Sequence, residues 1–292
     1  MTEFEIKELA SGMDYQKLFN KVSISCSKVV TRSYSTSFSL GIRCLDKEVQ
    51  DPIYAIYGFV RFADEIVDTF HDFDKQTLLD RFKQDTHRAV AEKISLNPIL
   101  NSFQKTVNSF NIEASLYDQF LKSMEMDLTE TEYDQQGIDE YILGSAQVVG
   151  LMCLRVFCKR DDAMYQRLKP NAMHLGAAFQ KINFLRDLKA DFKGMGRNYF
   201  PGIDLSRFDA ESKRKIEDNI DIDFKAGFEG IKQLPHAVRL GMYVAYVYYY
   251  ALFKKIKNTP PDRVMNQRIR IRNRQKLSIL AYSYVKHQLK LI

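Results

Sequence analysis

The chain has 292 residues, 45% of them hydrophobic, which excludes global disorder and allows one large core. A net charge of +6 favours anionic partners such as phosphates, nucleic acid or acidic membrane, without choosing among them. Four cysteines form no Cys-x-x-Cys pair and five histidines show no metal-ligand spacing, so reduced thiols in a cytoplasmic protein are the simplest reading.

Met1 to Lys21 mixes acidic, basic and apolar residues, lacks the apolar core of a signal peptide, and reads as a peripheral N-terminal segment. Only 7 Pro and 13 Gly punctuate the chain and no alternating strand pattern emerges, so helical periodicity dominates. A helix is expected over about 19–40. Asp51-Pro52 reads as an N-cap followed by proline at the first helical position, opening a helix that runs to about Phe70. Helices follow near 75–93, 98–110 (after the second cap signal, Asn97-Pro98), 114–130, 138–157 and 162–192. The run from Gly194 to Gly202, rich in glycine and closed by Pro201, ends a helix and starts a loop. Three more helices are expected near 222–232, 236–257 and 275–290. The longest nearly apolar run, Gly241 to Phe253, is too short to span a bilayer. With no repeat, low-complexity stretch or long polar linker, residues 1–292 read as a single all-α domain.

Two segments carry candidate chemistry. In the first, Asp64 and Asp68 are four residues apart and share a helical face with Arg61, among Ile56, Phe59, Val60, Ala63 and Val67. In the second, Asp187 and Asp191 repeat that spacing, and Gln180, Asn183 and Asp187 form a polar stripe beside Ile182, Phe184, Leu185 and Leu188. A single pair of this kind is ordinarily a solvated acidic face. Two pairs on apolar helices, each flanked by arginine, call for a counter-charge that a divalent cation supplies. Oxygen donors without His or Cys point to Mg²⁺, with Mn²⁺ as a substitute, its shell completed by water and substrate phosphates. The 20 Phe and 16 Tyr fit either a well-filled core or a large greasy pocket.

At these segments the sequence resembles the squalene/phytoene synthase family, from about Val22 to Val285. Ser35-Thr-Ser37-Phe38-Ser is similar to the family's N-terminal substrate signature. Tyr54-x-x-Tyr57-x-x-x-Arg61-x-x-Asp64-x-x-x-Asp68 is similar to its first aspartate motif, and Gln180-x-x-Asn183-x-x-Arg186-Asp187-x-x-x-Asp191 to its second, followed by Arg197-x-Tyr199-Phe-Pro201. Tyr141-x-x-Gly144-x-Ala146-x-x-Val149-Gly150 resembles the helix along which the prenyl chain passes; close helix packing explains those small residues equally well.

The resemblance implies a class I terpenoid synthase bundle, helices packed around a central cavity. It implies that Asp64, Asp68, Asp187 and Asp191 hold Mg²⁺, with Asn183 as a ligand or an orienting donor. Arg61 and Arg186 would contact diphosphate or hold the aspartates, while Tyr57, Tyr141 and Tyr248 line the site; Tyr248 could equally be a packing residue. Ser35, Ser37, Phe38, Gly144, Ala146, Gly150 and Gln180 would contact substrate. Of the basic run Arg263 to Lys276, Arg274 best matches the family's second diphosphate contact, with Arg268 and Arg272 as alternatives. Thr36 departs from relatives that carry lysine there.

The context Asn-Phe-Leu-Arg-Asp and Arg-Asn-Tyr-Phe-Pro looks more like bacterial phytoene synthases, especially those of Bacteroidetes. This implies 1-1′ condensation of two geranylgeranyl diphosphates to phytoene for carotenoid synthesis, without NADPH. Dehydrosqualene or squalene synthases using farnesyl diphosphate are the nearest alternatives, and a non-catalytic assembly factor is one from another class. A nucleic-acid binder is disfavoured because the aspartate segments would then lack a purpose. An apolar product implies peripheral contact with the inner face of the membrane and hand-over to a desaturase.

Overall fold

The computed structural model describes residues 14–130, 132–289 and 291–292. Most of the expected peripheral segment therefore lies outside the described residues. Its end, from Tyr15, already belongs to the first helix, α1 (Tyr15–Tyr34). The single helix expected over 19–40 is two. Ser35 adopts an extended backbone, and its hydroxyl accepts from the Phe38 amide at 3.2 Å to cap α2 (Thr36–Arg43).

Helix α3 (Lys47–Asp68) begins a turn before its expected start. Asp51 caps nothing and instead pairs with Lys28 at 2.6 Å, while Pro52 is tolerated inside the helix. Helices α4 (Lys75–Glu92), α5 (Pro98–Phe110) and α6 (Ala114–Thr129) follow the sequence pattern closely. Asn97 caps α5 as expected, accepting from the Ile99 and Leu100 amides.

The next apolar segment runs as α7 (Gln135–Ile142), a π-helical turn (Leu143–Gln147) and α8 (Val148–Cys158). By length and composition this 24-residue stretch could cross a bilayer, but it is mostly buried among α6 and α9 (Asp162–Leu188). Gly144 sits in the widened turn because a Cβ there would lie 2.6 Å from the Gln119 carbonyl oxygen. Close packing therefore accounts for this glycine. Helix α9 ends in a second π turn (Lys189–Gly194), and Gly196, at φ +69°, closes it.

Helix α10 (Ala210–Gln233) is a dozen residues longer at its start than expected. Its first turns are charge-rich, and only Ile216 and Ile220 betray their buried side. Helices α11 (His236–Lys257), α12 (Pro261–Val264) and α13 (Asn273–Gln288) complete an all-α bundle. Among the described residues the sole β-type pairing is an isolated bridge between Glu132 and Asn198.

The core has two parts. One centres on Phe59, which stacks on Phe103 at 3.8 Å; the other joins Tyr141, Phe184, Tyr199, Phe224 and Phe253. Helix α9 contributes Tyr165 and Leu168 to the first and Ile182 and Leu185 to the second, and so spans the bundle. The four cysteines are free thiols, and burial pushes Cys153 up to about 12.

Candidate active site

The first acidic pair lies on the last turns of α3. Arg61 reaches three carboxylates of its own helix: Glu65 at 2.5 Å, Asp64 at 3.6 Å and Asp68 at 3.8 Å. Its guanidinium also lies over the Tyr34 ring, 4.3 Å from the centroid. One cation among three anions leaves a net negative patch. Burial, reinforced by the charge of Asp68, pushes Asp64 up to about 7. Asp68 is raised too, by burial, against the pull of Arg61 and Arg197.

The second pair is arranged differently. Asp187 is clasped by two guanidiniums. Arg186 donates to it at 3.1 and 2.5 Å, and Arg268 reaches it at 2.7 Å from 81 residues away. Asp191, in the π turn beyond, forms no ion pair among the described residues. Burial and the neighbouring Asp187 push it up to about 7. Asp68 adds to that rise, so the charge of the α3 pair is felt at the end of α9.

Between them stands Asp127 of α6, a residue the motif reading missed. Its side chain is buried, accepts from the Tyr141 hydroxyl at 3.0 Å and faces Arg197 at 3.5 Å. Burial pushes it up to about 7, and the charges of Asp68 and Asp191 both contribute. Its signal in the sequence was position: Phe120, Met124 and Asp127 fall at i, i+4 and i+7, on the buried face of α6. Arg197 anchors the loop by donating to the Asp127 carbonyl at 2.6 Å.

The remaining sequence-selected residues divide. Tyr57 stacks on Phe38 at 4.6 Å, and burial pushes its phenol up to about 12. Ser37 is half-buried beside them. Asn183 donates to Gln180 at 3.3 Å and accepts from Tyr249 at 3.5 Å, a marginal bond. Tyr249, unremarked in the sequence, stacks on Phe179 at 4.0 Å. Its neighbour Tyr248 lies edge-on to it, 5.5 Å away.

Arg268, rather than Arg274, reaches the second motif; Arg274 is exposed on the first turn of α13. The extended run before that helix alternates, with Ile269 and Ile271 buried and Arg268, Arg270 and Arg272 outward. Lys276 donates to Thr36 at 3.1 Å and lies 5.7 Å from the Tyr248 ring centroid, so a lysine reaches the Thr36 site from the chain's other end.

Next to the acidic space opens an apolar cavity of about 1150 Å³, its mouth included. Phe38 and Phe179 line it, as do Ala146 and Gly150. Its polar side chains, Ser145 and Asn171, spend their hydroxyl and amide on backbone carbonyls. Gly144 lies outside it, against α6.

Among the described residues, no three acidic, imidazole or thiol side chains converge closely enough to hold an ion by themselves. The donor set nonetheless fits a hard divalent cation that takes one or two carboxylates and completes its shell from a phosphate-bearing ligand. Asp64, Asp68 and Asp191 are oxygen donors short of positive charge. Asp187 fits only once a guanidinium leaves it.

The profile of the squalene/phytoene synthase family matches residues 31–275. The chain belongs to that family. It is 27% identical over 169 residues to the presqualene diphosphate synthase of Rhodopseudomonas palustris, covering 57% of this chain and 58% of that relative. It is 25% identical over 285 residues to the phytoene synthase of Arthrospira platensis, covering 88% and 91%. A crystal structure of a dehydrosqualene synthase superposes with a TM-score of 0.79 at 20% identity, covering 94% of this chain and 98% of that one. The family's members are isoprenoid synthases of the prenyltransferase type, and the fold is that of the class I terpenoid synthases.

Proposed function

We propose that the protein condenses two geranylgeranyl diphosphates 1-1′ to phytoene, through a cyclopropyl diphosphate intermediate and without a reductant. The observation that carries this reading is the junction of two environments. Acidic side chains coupled across α3, α6 and the end of α9 lie beside a cavity whose lining, Phe38 and Phe179 among it, is almost wholly apolar. Diphosphate heads belong in the first and long apolar tails in the second.

Asp64, Asp68 and Asp191, with Asn183 and a released Asp187, would hold Mg²⁺ or Mn²⁺. Such an ion supplies positive charge to a departing diphosphate. The chain's own residues do the rest. Arg268 and Lys276 offer N–H donors to diphosphate oxygens from the open side. The stacked pairs Phe38–Tyr57 and Phe179–Tyr249 form an aromatic collar between the acidic space and the cavity. Their ring faces stabilise an allylic cation and keep water from it. The cation alkylates the double bond of the second substrate, and loss of a proton closes the cyclopropane. Departure of the remaining diphosphate, rearrangement and a further proton loss complete the hydrocarbon.

Relatives that keep 25–27% identity include synthases that are named for different products, so chain length is the point to test. Labelled farnesyl and geranylgeranyl diphosphates are incubated separately with Mg²⁺, with and without NADPH. A C40 hydrocarbon formed equally in both conditions is the expected result. A C30 product from farnesyl diphosphate alone, or accumulation of a cyclopropyl diphosphate, overturns the phytoene assignment. Retention of all four motif aspartates argues against an assembly factor without activity.

A further inference from the structure

The thirty residues after Asp262 contain no Asp or Glu and eight Lys or Arg. Within them α13 is apolar on its outer side as well as its inner one. Its inner side packs through Ile279, Ser283 and His287, whose ring lies against His236 of α11 at 4.3 Å. Its outer side carries Leu277 at 65% exposure, Tyr284 at 52%, Val285 at 54% and, just past its end, Leu289 at 63%. Positions 277, 284 and 285 fall at i, i+7 and i+8, so they form one stripe. Cations flank it: Arg270 and Arg272 before the helix and Lys286 within it.

We propose that this outer face docks on a lipid bilayer carrying anionic headgroups. The exposed leucine, valine and tyrosine side chains enter the boundary between headgroups and acyl chains, and the flanking cations meet the headgroup charge. Charge complementarity selects this occupant, because a stretch of thirty residues with eight basic side chains and no acidic one suits a negatively charged plane. Placement supports it: the same stretch reaches the site through Arg268 on Asp187 and Lys276 on Thr36. The purpose of docking, uptake of amphiphilic diphosphates and release of an apolar product, rests on the proposed function; the docking itself does not.

The test is co-sedimentation of the full chain with vesicles of phosphatidylcholine alone or mixed with phosphatidylglycerol. Binding is expected to the mixed vesicles only, and to weaken as salt is raised. The triple variant Leu277→Gln/Val285→Gln/Leu289→Gln should lose at least about tenfold in vesicle affinity. Arg270→Gln and Lys286→Gln should each lose about fivefold. All five positions are exposed or half-exposed, so circular dichroism should show unchanged folding, and turnover in detergent should be kept. Equal binding to both vesicle types, or a triple variant that binds like the wild type, overturns the proposal. So does a wild-type chain that self-associates without lipid and becomes monomeric in the triple variant, since a second copy would then cover the face. A chain that binds mixed vesicles but converts no prenyl diphosphate keeps this proposal and removes the functional one.

Discussion

The two aspartate motifs share one spacing and differ in how their charge is balanced. In the first, a single arginine of the same helix serves Asp64, Glu65 and Asp68. In the second, Asp187 holds two guanidiniums, one of them brought from the C-terminal run, while Asp191 holds none among the described residues. The ion pairs of the first motif are thus local to α3. The second depends on a distant part of the chain, and whatever draws Arg268 away changes its affinity for a cation.

The largest expected effect treats the motifs alike. Asp64→Asn and Asp187→Asn should each lower turnover by at least about a thousandfold, since a metal's stabilisation of a leaving group is worth several kcal/mol. A product assay that finds either variant near wild-type rate removes that motif from catalysis. The next separates them. Arg268→Gln should tighten Mn²⁺ binding to the substrate-free protein several-fold by releasing Asp187, as read by electron paramagnetic resonance. Arg274→Gln should leave it unchanged, and an equal response would erase the asymmetry.

A third test uses protons in place of metal. Asp64, Asp127 and Asp191 sit near 7 in the fold against an ordinary aspartate value near 4. Between about pH 4 and 7 the folded chain therefore binds more protons than the unfolded one, and these groups' contribution to stability falls as pH rises through that window. Thermal melts in chelator should show a smaller decline for Asp191→Asn than for the wild type, and added Mg²⁺ should reduce the decline as well. An Asp191→Asn profile parallel to wild type would show that this carboxyl is not strained by its neighbours. The smallest effect concerns the phenols. Tyr141→Phe removes a 3.0 Å bond to Asp127 and should cost up to about tenfold in kcat. Tyr249→Phe removes a 3.5 Å contact and should cost less than about threefold.

Much of this was legible in the sequence because it is local. Helical periodicity placed α5 and α11, and the i, i+4 aspartates declared themselves by spacing. What stayed hidden depends on other helices. The break at Ser35 is a capping event within an otherwise continuous helical pattern. The early start of α10 was masked by its charges. Asp127 carries no motif of its own and acquires its character from burial against Tyr141 and Arg197. Arg268 was indistinguishable from its basic neighbours until tertiary contact singled it out. Gly144 read equally as a passage or a packing residue, and only the proximity of the Gln119 carbonyl decided between them.

The alternation of buried Ile269 and Ile271 with outward arginines separates two duties that most active-site loops combine. The isoleucines peg the backbone, while the guanidiniums hang free of the core. Mutational drift can therefore exchange charge at 268 without loosening the peg, and a lineage could retune the hold of that one guanidinium on the second motif at little cost to its melting temperature.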